Sequence, residues 1–284
     1  MMSKHLPLLM ALLAVAVTAG SCGRHRSGTA DGISDAEEYV TDTMSLADER
    51  DELIALEPMP ESADELFDDF IFNFASNHKL QMERTVFPLL VNSGSQGQHR
   101  IEAADWKMEH FFMHQGEYTL MFDSEKQMEL VKDTSVTKVI LEKIFLENDF
   151  VRQYLFSKTA GRWMLEEIRN QTLPRNPNAH FVAFYHRFVT DSAFQRQSLA
   201  PEITFVGPDP DDDFSMTEGV ITPDFWDAFA PDMPKSVLYN IVYGQQNPAS
   251  TEKIFVIRGI ANGLEIELTF RQEHGRWKLV KMME

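Results

Sequence analysis

The chain has 284 residues, 43% of them hydrophobic and 11% aromatic, which is enough apolar material for one large or two ordinary packed domains and excludes wholesale disorder. With 26 basic against 44 acidic residues the formal charge is −18, which opposes any role built on neutralising nucleic-acid phosphates. The single cysteine, Cys22, excludes an internal disulfide framework.

The first residues have the form of an export signal. Lys4 supplies a positive start, Leu6 to Ala19 is apolar apart from Pro7 and Thr18, and Ala19-Gly20-Ser21 places small residues directly before Cys22. Small residues at that point resemble a bacterial lipobox. The expected product is a protein cleaved after residue 21 and acylated on Cys22, exported and held in the cell envelope, facing the periplasm or the surface. The membrane contact is then the anchor alone, since the apolar run is short for a span.

Residues 22–60 are read as a flexible acidic tether. Between Gly23 and Glu65 there are thirteen Asp or Glu against three Arg, and few apolar residues recur at any period. After Pro60 the pattern changes. Leu66, Phe67, Phe70, Ile71 and Phe74 form an apolar stripe that predicts a helix over 62–77.

A second helix is predicted near 103–115, carrying His110 and His114. At i, i+4 these two would share a helix face and are the candidate metal ligands. No third ligand is marked and the zinc-protease glutamate is missing, so a partly exposed pair is the preferred reading and no metal is assigned. Strands are predicted at 118–123, 136–149, 150–158 and 162–171, with turns at Asn148-Asp149 and Ala160-Gly161. Pro174 and Pro177 mark a short, stiff linker within 171–178.

Beyond the linker Phe181, Phe184 and Phe188 repeat the helical stripe. Tyr185 and His186 beside them are candidate binding or proton-transfer residues, with a buried hydrogen-bonded tyrosine as the preferred reading. The run 207–219, with Asp209, Asp211, Asp212 and Asp213, is read as a solvated acidic loop rather than a calcium loop. Strands follow at 236–244, 252–260, 264–273 and 276–283.

Phe181, Phe184 and Phe188 stand 114 residues after Phe67, Phe70 and Phe74, and Gly275-Arg276-Trp277 stands 114 after Gly161-Arg162-Trp163. Leu165 and Leu279 follow two residues after each Trp. In the middle the offset drifts to 120, pairing Trp106 with Trp226, as one extra loop would cause. This predicts a duplication, with a first α+β domain over 61–173 and a second over 178–284.

A leading amphipathic helix, a short helix near a Trp and long strands closing in Gly-x-Trp-x-Leu resemble the nuclear transport factor 2-like superfamily, of cystatin-like appearance. The tandem acidic lipoprotein form is similar to an uncharacterised family of exported proteins from Gram-negative anaerobes. The resemblance implies two tandem cone-like domains, each with helices packed on a curved antiparallel sheet, and a pocket that serves as a binding site, an enzyme site or filled core.

No phosphate loop, nucleophile elbow or free catalytic thiol is present, so no catalytic residue and no cofactor is assigned. The expected function is a non-enzymatic module binding a small hydrophobic ligand, a peptide or an envelope protein. The alternative is an isomerase, dehydratase or hydrolase using one cone.

Overall fold

The computed structural model describes residues 59–209, 211–260 and 262–284. The export signal, Cys22 and the tether through residue 58 lie outside the described residues, as do Pro210 and Ala261.

The chain begins with a 3₁₀ turn, Glu61–Asp64, then helix α1, Phe67–Ser76, and helix α2, His78–Arg84. The helix expected over 62–77 is therefore interrupted, and α2 continues it after Asn77, whose side chain accepts from Leu80 N and caps the new helix. Six strands follow: β1 Thr85–Asn92, β2 Gln98–Ile101, β3 Glu117–Phe122, β4 Lys138–Phe145, β5 Phe150–Thr159 and β6 Arg162–Thr172. The helix expected near 103–115 is absent; that segment holds only 3₁₀ turns at Ala103–Asp105 and Phe111–His114.

After the linker come helix α3, Ala179–Thr190, helix α4, Ser192–Gln197, and strands β7 Leu199–Asp209, β8 Asp212–Ile221, β9 Val237–Tyr243, β10 Glu252–Gly259, β11 Glu265–Glu273 and β12 Arg276–Met283. The acidic run 207–219 is not a loop, because it forms the end of a β7–β8 hairpin, in register from Ile203–Ile221 to Pro208–Met216 and shifted at Asp209–Asp212. Pro208 holds an extended backbone, which a strand also uses.

All twelve strands join one sheet, in the order β2-β1-β6-β5-β4-β9-β3-β10-β11-β12-β7-β8. Two independent sheets, one on each side of the linker, are not what forms. Strand β9 pairs antiparallel with β4 of the first series, while β3 pairs antiparallel with β10 of the second. Between them β3 and β9 run parallel, with Thr119 opposite Asn240 and Leu120 opposite Ile241. Each series thus lends a strand to the other at the centre.

The cores lie on opposite faces of this centre, as the two-residue period of a strand buried on both sides demands. On β10, Ile254 and Val256 join the core under α1, while Phe255 and Ile257 join the core under α3. The helix stripes fill these cores with aromatic rings. Phe67 meets Trp163 edge to face at 5.1 Å and 79°, and Phe181 meets Trp277 at 5.3 Å and 76°. Full burial of rings such as Phe70, Phe74 and Phe188 stabilises by about 1.5–3 kcal/mol each.

The linker is fastened to the sheet near its end by two asparagines. Asn176 Nδ2 donates to Glu142 on β4 at 2.6 Å, and the Asn178 side chain accepts from Lys253 Nζ on β10 at 2.6 Å and donates to Gln246 at 2.8 Å.

Candidate functional site

The candidate site grows from one buried amide. Gln81 on α2 is wholly buried, and its side chain makes four hydrogen bonds. Its Nε2 donates to Phe74 O and Glu109 O, each at 2.8 Å, while its Oε1 accepts from Trp106 Nε1 at 3.1 Å and Glu109 N at 3.0 Å. An amide offers two donors and two acceptor positions, so Gln81 is saturated. It clasps segment 106–109 against the helix.

Phe111 then adopts φ +48°, the left-handed region that an aromatic residue enters only under constraint. Phe111 and Phe112 are both buried, against Tyr154 at 4.9 Å and Tyr118 at 5.0 Å respectively. His110 and His114, on either side of them, keep access to solvent. Their rings lie 4.6 Å apart, tilted by 53°. The two histidines do meet, but across a 3₁₀ turn rather than on a helix face.

Below the pair lies a cleft of about 500 Å³. One wall comes from Glu109–Gln115 and β4, and the other from Ser236, Val237 and Tyr239. The β9 exchange is what brings the second wall there. Lys143 on the floor holds its ammonium 5.2 Å from the Tyr239 ring centre and 5.5 Å from that of Phe145, both within cation–π range. Glu109 Oε1 is 3.9 Å from Lys143 Nζ, and Oε2 accepts from the Tyr154 hydroxyl at 2.7 Å. Burial, reinforced by the Glu109 charge, holds the Tyr154 hydroxyl well above the ordinary tyrosine range.

Among the described residues there is no cluster of three or more His, Cys, Asp or Glu arranged to hold a metal. Tyr185 is 1% exposed, donates to Pro234 O at 2.9 Å and packs 4.5 Å from Phe255. Burial raises its hydroxyl far above the usual range. His186, half-exposed, faces away from it, so these two candidates form no joint site.

Two polar clusters escaped the sequence reading. On the α1 side, Asp68 accepts from the hydroxyls of Tyr243 and Tyr118, the latter at 3.4 Å, and from Arg258 Nη1 at 3.2 Å. Burial nonetheless raises its carboxyl above the ordinary range, against the lowering by Tyr243 and Arg258. On the α3 face, Glu142 sits between its cross-strand neighbours Gln153 and Asn240. Its carboxyl takes Gln153 Nε2 at 2.8 Å, Asn176 Nδ2 at 2.6 Å and Asn240 Nδ2 at 3.1 Å. Beside it Lys253 is ion-paired with Asp123. An acidic or amide residue within an alternating apolar strand, such as Glu142 in Val139–Ile144, was the available signal. Its partners come from three other segments and leave no local pattern.

Among the described residues no helix is long and apolar enough to cross a membrane. A comparison with curated proteins finds no match. Among solved structures, the chain is similar to a nuclear transport factor 2-like protein from Bacteroides fragilis NCTC 9343. The identity is 43% and the TM-score 0.73, over 80% of this chain and 98% of that one. The α+β architecture with one large sheet and few helices is thus of the nuclear transport factor 2-like kind. Residues 46–284 match the family described as Domain of unknown function (DUF4348), and the chain belongs to that family.

Proposed function

We propose that this protein is a non-enzymatic binding module, exported and lipid-anchored through Cys22, whose small ligand enters the cleft between Glu109–Gln115 and β9. The observation that carries the binding reading is the composition of the cleft. A cation lies over two rings, two histidines flank the mouth, and both series of elements contribute walls. A ligand with an apolar body against Phe145 and Tyr239 and a polar group toward His110, His114 and Lys143 fits this lining.

The one carboxylate there, Glu109, is engaged by Tyr154 and Lys143, which favours a holding role over proton transfer. The enzyme reading, an isomerase, dehydratase or hydrolase, stands second. It is favoured by the gathering of Glu109, His110, His114 and Lys143 around a single cleft.

We further infer that the chain arose by internal duplication of a cone-like unit. Supporting this, β4 and β10 begin at 138 and 252 and end at 145 and 259, each 114 apart, and β1 and β7 begin at 85 and 199 with the same spacing. The paired Phe67–Trp163 and Phe181–Trp277 contacts agree in distance and angle.

The ligand reading is tested by melting the full chain against a panel of small amphipathic molecules, beside the variants Lys143→Met and His114→Ala. Compounds that raise the melting temperature of the parent and of neither variant are expected; compounds that raise all three equally would sink it. For the anchor, Cys22→Ser is expected to move the protein from the membrane fraction to the soluble one, and retention in membranes would refute it.

A further inference from the structure

The two closing hairpins turn alike but carry different neighbours. Ala160-Gly161 has φ +49° and +78°, and His274-Gly275 has φ +50° and +76°, the left-handed pair of a two-residue hairpin turn. In such a hairpin the residue after the closing pair directs its N–H away from the partner strand. For Trp163 that N–H donates to Asp64 Oδ1 at 3.0 Å, and Arg84 clamps the same carboxylate at 2.8 and 2.7 Å. The first series therefore has a carboxylate seated on its closing Trp.

Among the described residues the second series has nothing of the kind. The position 114 residues beyond Asp64 is Asn178, whose side chain is spent on Lys253 and Gln246. The position beyond Arg84 is Ser198, whose hydroxyl turns back to Phe194 O at 2.8 Å. Without the arginine stem and the carboxylate, a groove of about 580 Å³ opens over Trp277.

Its lining has a consistent chemistry. Phe184, Phe194 and Trp277 give an aromatic floor, and Arg187, Arg276 and Lys278 ring it. Among the described residues no Asp or Glu lines it, in a chain whose net charge is −18. Arg187 lies 4.0 Å over the Phe194 ring and 3.6 Å from Asp191, while Lys278 donates to Gln197 O. His180 Nδ1 accepts from Trp277 Nε1 at 3.1 Å, which fixes the indole as one wall.

We propose that this groove binds a small carboxylate carried on an aromatic or apolar body. The carboxylate takes the place at Trp277 that Asp64 takes at Trp163, under the field of Arg276 and Lys278, and the apolar body lies on Phe184, Phe194 and the indole. The inference stands apart from the cleft at Glu109–His114, with which the groove shares no lining residue.

The test is calorimetric titration of the full chain with 4-phenylbutyrate, and with 4-phenylbutyramide as its neutral isostere. Saturable binding with Kd below about 1 mM is expected, weakened at least about tenfold for the amide and for the double variant Arg276→Glu, Lys278→Glu. Ala183→Trp, at an exposed position of α3 on the groove wall, fills the space without changing charge and should abolish binding while the melting temperature holds. No saturation by the acid, equal affinity for acid and amide, or undiminished binding by folded Ala183→Trp would each overturn the proposal.

Discussion

Glu142 offers the sharpest test of how the centre of the sheet is held. Three side-chain amides converge on its buried carboxyl, from β5, β9 and the linker. Replacement by Leu removes the acceptor and strands three buried N–H groups at about 1–3 kcal/mol each, so a loss of at least about 3 kcal/mol is expected. For a domain of this size that is a fall of roughly 6–12 °C in melting temperature.

Replacement by Gln should behave differently. The new amide oxygen keeps the bonds from Gln153 and Asn176, and its NH₂ faces Asn240, whose Oδ1 is buried without a partner. Rotating the Asn240 amide joins the two.

The pH dependence separates the variants further. Burial raises the Glu142 carboxyl above the ordinary range, outweighing the lowering by its three amide donors. Between the unfolded and folded pKa values the folded state therefore binds more protons, so its stability falls as pH rises through that window and levels off above it. Below the unfolded value the full contribution is present. Glu142→Gln lacks this proton, so the variant should gain on the parent as pH rises through that window, by about 1.4 kcal/mol for each pH unit that separates the folded from the unfolded pKa. Urea titrations at a series of pH values measure the difference directly. A Gln variant that is weaker by more than about 2 kcal/mol at every pH, with no slope in the difference, would show an ionised carboxylate and refute the reasoning.

Asp64→Asn should cost about 3 kcal/mol by breaking the buried pair with Arg84, measured by denaturant melting. The Arg84 bonds hold the Asp64 carboxyl below its usual range despite burial, so the parent keeps this contribution above the ordinary aspartate pKa. It loses it as pH falls through the folded value, and the Asn variant should show no such loss. Gln81→Leu should release segment 106–109 at a cost of about 3 kcal/mol, and hydrogen exchange at Glu109–His114 should quicken more than in β5.

Much of the fold was legible because its signals are local. The aromatic stripes at Phe67–Phe74 and Phe181–Phe188 and the glycine turns at 161 and 275 each declare themselves within ten residues. Segment 103–115 misled because its apolar spacing mimics a helix, while Gln81 and the positive φ of Phe111 set its true path. Strands β1 and β2 were missed since β1 contains Pro88 and the edge strand β2, Gln98–Ile101, is almost entirely polar. The exchange of β3 and β9 could not be read at all, since both strands are apolar on either face and carry no mark of which neighbour they pair with. For the same reason His110 and His114 were found, whereas the β9 wall opposite them was not.

The exchange also governs timing. Strand β3 closes on β10, so residues 117–122 have no antiparallel neighbour until residue 252 has been made. At about 5–20 residues per second that interval is roughly 7–26 s. For most of it an apolar strand and, until β9 is made, the free edge of β4 remain without their antiparallel partners, the kind of edge that invites pairing between chains. Synthesis of this protein therefore passes through a long sticky interval, and escort of the growing chain matters more for it than for two beads folding one after the other.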